Sequence, residues 1–324
     1  MSKSRSARRG NAPAQPQRPP RISESSLRTV EKPPVVRART TRSGRSRRVQ
    51  VPWWRTGKGT AGIGTGIVVV LLIFVLIARN QGSTSSALQP VPATILQQVT
   101  HVSPSVAAQV GTGGLSQPFT AANQATVLKD SSGKPLFVYI GAEYCPFCAA
   151  ERWSVIVALS RFGTFSNLHL TTSSSTDTYP DTPTFTFYKS SYTSPYLAFQ
   201  AVEMQDRTGG TLQQPTSLQS QLLNVYDAPP YFPAKSAGAI PFLDMGNQYL
   251  EAGSGYMPDV LTNSSWAQIA ASLSDPKNPI AQSIVGDANY ITAALCVVTN
   301  NQPANVCTTA PIPTIQAQLP KGHA

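Results

Sequence analysis

One stretch, residues 134–153 (KPLFVYIGAEYCPFCAAERW), leaves the chain little choice of local structure. Residues 136–140 form a short apolar run rich in β-formers, as a buried strand requires. Gly141 and Ala142 break the run. Cys145 and Cys148 then open an apolar segment reaching Phe162, and Gly163 stands where a helix C′ stop is expected. Strand, turn, Cys-x-x-Cys and helix is the order that thiol–disulfide chemistry needs. A spacing of three puts both sulfurs on one face of the first helical turn, close enough to bond. The free N–H groups and partial positive charge of a helix start stabilise a thiolate on the first sulfur. Pro146 falls at N1, where its missing N–H costs nothing.

Zinc and a purely structural bridge are the competing readings of the pair. Zinc wants a second tight pair, but the other cysteines, Cys296 and Cys307, are spaced loosely, and the three histidines (His101, His169, His323) are scattered. A bridge closing so small a loop constrains the unfolded chain little. The redox reading is preferred, with no metal and no cofactor expected.

Charge is unevenly divided. Residues 1–60 hold sixteen Lys/Arg against Glu24 and Glu31, a net of +14 in a chain of +11, leaving −3 for residues 61–324. Nucleic-acid binding by the folded part is therefore not indicated. The first 60 residues are too polar to bury a core and read as a disordered basic cytoplasmic tail, with contact to anionic lipid as an accessory effect. Residues 61–78 (AGIGTGIVVVLLIFVLIA) carry no charge and approach the minimum length for spanning a bilayer. Trp53, Trp54, Arg55 and Lys58 flank them on the N-terminal side, as an interfacial belt and positive-inside signal would. The expectation is an uncleaved transmembrane signal anchor, N-terminus cytoplasmic, followed by a linker over 79–94 and an extracytoplasmic domain over 95–310. Residues 311–324 read as a C-terminal tail. Outside the cytosol disulfides persist, so four cysteines make two plausible pairs.

Along that domain, Ser103-Pro104 reads as N-cap and N1 of a short helix ending before Gly111, and one brief helix is expected among the loops up to 133. Residues 167–172 alternate like a strand. Residues 184–189 and 196–202 are β-rich runs joined by a polar turn and predict a hairpin. Residues 212–226 have helical spacing. Residues 239–250 predict two strands turning at Gly246-Asn247, followed by helices over 266–273 and 280–298, with Cys307 in a loop.

The order of these elements looks like an α/β thioredoxin-like fold, in which a cis-proline faces a helix-capping Cys-x-x-Cys. Residues 139–165 (YIGAEYCPFCAAERWSVIVALSRFGTF) resemble domain-of-unknown-function family 929, and the likeness continues through IPFLDMGN at 240–247 to the last cysteine pair. That family consists of membrane-anchored or exported thioredoxin-like proteins. The resemblance implies Cys145 as the exposed nucleophile, Cys148 as resolving thiol and Pro241 as the cis-proline, with Ile240 offering backbone hydrogen bonds to a substrate strand. Tyr144 stands where thioredoxins have Trp. The separation of 96 positions from Cys145 to Pro241 implies that 173–233 is inserted, and Pro183 is the alternative cis-proline.

Glu143 and Arg152 either oppose and offset a thiolate or are solvated charges; Trp153 and Tyr144 either line a peptide groove or pack in a core. His169 is expected to be a packed or surface residue. Cys296 and Cys307 are expected as a structural disulfide, with a second redox pair as the alternative. The function so implied is thiol–disulfide exchange on protein thiols or disulfides outside the cytoplasm, regenerated by an unknown redox partner. A tethered binding domain without redox activity is the rival reading.

Overall fold

The computed structural model describes residues 88–122 and 126–321, all within one unit spanning Gln81–Ala324. The basic tail and the apolar stretch 61–78 lie outside the described residues. A two-residue strand, β1 (Gln89–Pro90), precedes two short helices, α1 (Ala93–Thr100) and α2 (Pro104–Val110). Ser103 caps α2 by accepting the Val106 N–H at 3.2 Å, and Pro104 occupies its first turn. No helix forms among the described residues of 112–133; β2 (Thr120–Ala121) pairs there instead.

The central strand β3 (Leu136–Gly141) is buried along its whole length and leads into α3 (Pro146–Leu159). Alternation sorts its side chains between two cores. Phe137 and Tyr139 join one core, with α3; Leu136, Val138 and Ile140 join the other. The helix ends earlier than Gly163, at the cap residue Ser160. Gly163 is required for another reason: a Cβ there would lie 2.3 Å from the Thr193 carbonyl oxygen.

After α3 come β4 (Thr164–Ser166), β5 (His169–Thr172), β6 (Pro183–Thr186), β7 (Ser191–Thr193) and β8 (Ala198–Glu203). The hairpin expected from 184–189 and 196–202 does not form. β6 pairs antiparallel with β5, whereas β8 runs parallel to β3, Leu136 opposite Ala198 and Gly141 opposite Glu203. The physical reason is that a fully buried strand must satisfy its backbone on both edges, and β8 supplies one of them. The stretch 173–233 is therefore not wholly inserted, since it contributes a strand to the main sheet.

The helix α4 (Ser217–Tyr226) starts at a capping box of Thr216 and Gln219 and buries Leu222 and Tyr226 in the second core. β9 (Phe242–Met245) and β10 (Tyr249–Ala252) form the expected hairpin, with Gly246 and Asn247 both at positive φ in the turn. The five-stranded sheet has the order β2-β10-β9-β3-β8, in which only β3 and β8 are parallel.

Four helices close the chain: α5 (Trp266–Ser272), α6 (Pro279–Val298), α7 (Ala304–Cys307) and α8 (Ile312–Gln316). By length and composition α6 can cross a membrane, its most apolar 18-residue stretch having a mean hydropathy of 1.2, yet 78% of that stretch is buried inside this fold, where the helix packs in the core with α3. Cys296 on α6 is bonded to Cys307, which ends α7 rather than lying in a loop. Closing a loop of this sequence separation, 11 residues, removes about 3 kcal/mol of unfolded-state entropy on the loop-closure estimate.

Asp244 in β9 is fully buried. One carboxylate oxygen accepts the Asn247 N–H at 2.6 Å and the other has no partner among the described residues. Burial pushes its pKa up to about 7. Between the ordinary aspartate value and pH 7 the folded state keeps a proton that the unfolded state has released, so stability falls as pH rises, by up to about 1.4 kcal/mol per pH unit. Asp244→Asn places a neutral amide where the neutral acid sits. Unfolding midpoints measured from pH 4 to 8 should show a shallower fall than wild type, the remainder coming from other acids whose pKa burial raises, such as Asp227 and Asp287, and should lie higher than wild type above pH 7; an unchanged slope would refute the assignment.

Candidate functional site

Cys145 is the N-cap of α3. Its sulfur accepts the Cys148 N–H at 3.3 Å, and Pro146 follows in the first turn. The apolar run of β3 delivers the chain to this point, and the break at Gly141 and Ala142 turns it into the helix. The Cys145 thiol donates to the Ile240 carbonyl oxygen at 3.6 Å, and the Ile240–Pro241 peptide is cis. Pro183, the alternative, is not in a cis bond; its carbonyl instead accepts the Trp153 indole N–H at 2.9 Å behind the site.

The two sulfurs differ in environment. Cys145 is not exposed as expected: it is buried at 6% exposure, beneath the packing around Ile240 and the first turn of α3, while Cys148 is buried completely; both are free thiols. The Cys148 thiol donating to Cys145 lowers the Cys145 pKa, outweighing the effect of burial; the Cys148 N–H and the Arg152 guanidinium act in the same direction. Burial, and then the neighbouring Cys145, raise Cys148 well above the ordinary thiol value. The arrangement favours a thiolate on the outer sulfur and a protonated thiol on the inner one.

Arg152 is not a solvated charge. It is fully buried, with Nε 2.8 Å and Nη2 2.7 Å from the two carboxylate oxygens of Glu203, and Nη2 also donates to the Ala142 carbonyl at 2.7 Å. Its Nη1 has no partner among the described residues. Parallel pairing puts Glu203 opposite Gly141, at the end of β3 that feeds the cysteines, and so positions the ion pair beneath the site. Glu143 is likewise buried, at 7% exposure, and burial raises its pKa.

Trp153 belongs to the core: it is fully buried, with its ring 4.5 Å from that of Phe185. Tyr144 is half-buried and lines a polar cleft of about 600 Å³ with Asp177, Thr178, Gln205 and Thr208. Its carbonyl accepts the Ser174 N–H at 2.8 Å, and the Phe147 ring meets Tyr179 edge-on, so the loop after β5 borders the Cys-x-x-Cys turn. His169 lies in β5 opposite Thr186. Cys296 and Cys307 are both buried and bonded to each other, as a pair separate from the two thiols.

Sequence reasoning missed Glu203 and a buried acidic group formed by Glu151, Glu251 and Asp287. The available signal was a charged residue inside an otherwise apolar helix or strand, which has to find a partner. A family model described as a domain of unknown function (DUF929) matches residues 124–297, more than half of the chain. No curated protein and no solved structure matches it.

Proposed function

The chain belongs to the DUF929 family, and we propose that it is a membrane-anchored thiol–disulfide oxidoreductase of thioredoxin-like fold, acting outside the cytoplasm. The observation that carries this reading is the Cys145 sulfur at a helix N-terminus, 3.6 Å from the Ile240 carbonyl that precedes Pro241. The thioredoxin-like reading is supported by the parallel pair β3–β8 joined through α3, and by the antiparallel hairpin β9–β10 that begins just after Pro241. The basic tail and apolar stretch 61–78 support anchorage with the domain outside. The Cys296–Cys307 bond supports an oxidising compartment.

In the reductive direction the Cys145 thiolate attacks one sulfur of a client disulfide and expels the other as a thiolate, leaving a mixed disulfide. Cys148, deprotonated at this stage, then attacks the Cys145 sulfur. The client leaves with both sulfurs reduced, and Cys145–Cys148 carries the disulfide. Oxidation of a client dithiol is the reverse. Ionising Cys145 also removes its S–H from the Ile240 carbonyl, freeing that acceptor for a backbone N–H of an extended client. Tyr144 and the polar cleft beside it offer the adjoining contact surface.

Insulin-disulfide reduction by dithiothreitol, with and without the detergent-solubilised full-length chain, tests the proposal. Acceleration above dithiothreitol alone is expected. Absence of acceleration, together with no effect on refolding of scrambled ribonuclease, would refute it.

A further inference from the structure

Three carboxyl side chains that the cysteine chemistry does not use meet where α3, β10 and α6 come together. Glu151, Glu251 and Asp287 are 0%, 2% and 0% exposed, and each offers an oxygen within 4.8 Å of those of the other two. Glu251 is aimed into the cluster with neither oxygen partnered among the described residues, whereas Asp287 has the Ser154 and Glu151 side chains beside it. Glu151 Oε2 accepts the Gly255 N–H at 3.2 Å. The ion pairs among the described residues, Arg152–Glu203 and Arg207–Asp181, leave all three acids without a cationic side chain. Buried carboxylates in contact and without a cation are strongly unfavourable, so the arrangement calls for a positive occupant.

We propose that Glu151, Glu251 and Asp287 form an all-oxygen site for a calcium ion. Oxygens bound at 2.3–2.6 Å to one calcium lie at most about 5 Å apart, which the observed spacing meets. Three carboxylates bring six oxygens, and hard oxygen donors select calcium or magnesium over softer metals. Magnesium keeps much of its water shell, whereas a fully buried set of carboxylates suits direct ligation of calcium. Gly255 makes the close approach possible, because a Cβ there would stand 2.0 Å from Asp287 Oδ1. A cleft of about 580 Å³ bordered by Gln117, Glu251, Gly255 and Tyr256 lies next to the cluster.

The site stands apart from the redox reading, and the experiment keeps the two separable. Thermal unfolding of the detergent-solubilised full-length chain is measured after EDTA treatment and again with added calcium chloride. At a hundredfold excess over the Kd, a rise in Tm of about 5–10 °C is expected for a domain of this size. The Cys145→Ser variant should show the same rise. Glu251→Gln should abolish it. Terbium emission sensitised by the protein, and competed away by calcium, gives a binding readout for wild type and for Asp287→Asn that does not depend on stability; wild type should show it and the variant should not. An unchanged Tm with calcium, and no terbium emission that calcium displaces, would overturn the site and leave shared protons as the occupants.

Discussion

Cys145→Ser should bring disulfide exchange down to the background of dithiothreitol alone, whereas Cys148→Ser should leave a client covalently attached to the protein. The two thiols are adjacent in space but unequal. Cys145 is the sulfur that caps α3, faces the Ile240 carbonyl and has its pKa lowered, so its loss removes the attacking thiolate. Cys148 is fully buried, with its pKa raised, and cannot reach a client before the mixed disulfide has formed. Without it the mixed disulfide cannot be resolved from within. Non-reducing gels of the Cys148→Ser chain should show adducts that collapse on adding dithiothreitol, and the Cys145→Ser/Cys148→Ser double variant should show none. Equal adduct formation by Cys145→Ser and Cys148→Ser would reverse or dissolve the assigned roles.

Breaking the buried ion pair should have the largest effect on stability. Glu203→Ala leaves the Arg152 guanidinium fully buried without a counter-charge, an error that typically costs about 3–5 kcal/mol. For a domain of this size the expected fall in Tm is about 6–20 °C. Replacing both members with apolar residues, Arg152→Met with Glu203→Leu, removes the orphaned charge and should recover most of that loss. The recovered double variant then reports on chemistry rather than folding. Arg152 is one of the groups holding the Cys145 pKa down, so alkylation of Cys145 by iodoacetamide should shift to higher pH when the guanidinium is gone. A folded double variant with an unshifted alkylation profile would show that Arg152 only supports the fold.

What was legible in the sequence follows from how local each signal is. The β3–Cys145–α3 unit could be read because an apolar run, a Gly-Ala break and a proline at N1 all fall within twenty residues. The cap at Ser103-Pro104 and the turn at Gly246-Asn247 are equally local. Strand partners were not legible. The β-rich run at 196–202 announces a strand but not its neighbour, and the demand of buried β3 for a second edge outweighed the nearby turn. The same limit hid the charges: Arg152 meets Glu203 across 51 positions, and Glu151 meets Glu251 and Asp287 only because β10 and α6 fold back against α3. Gly163 shows a residue correctly noticed for the wrong reason, since close backbone approach, not helix termination, excludes a side chain there.

The most direct test of the central claim is the reduction potential of Cys145–Cys148, obtained by equilibrating the full-length chain in graded dithiol–disulfide buffers and counting alkylated thiols. A site built for exchange should titrate between about −270 and −120 mV, the span of thioredoxin-type oxidoreductases. A midpoint below about −300 mV would mark a bridge that resists reduction, and would contradict the account in favour of a tethered binding domain.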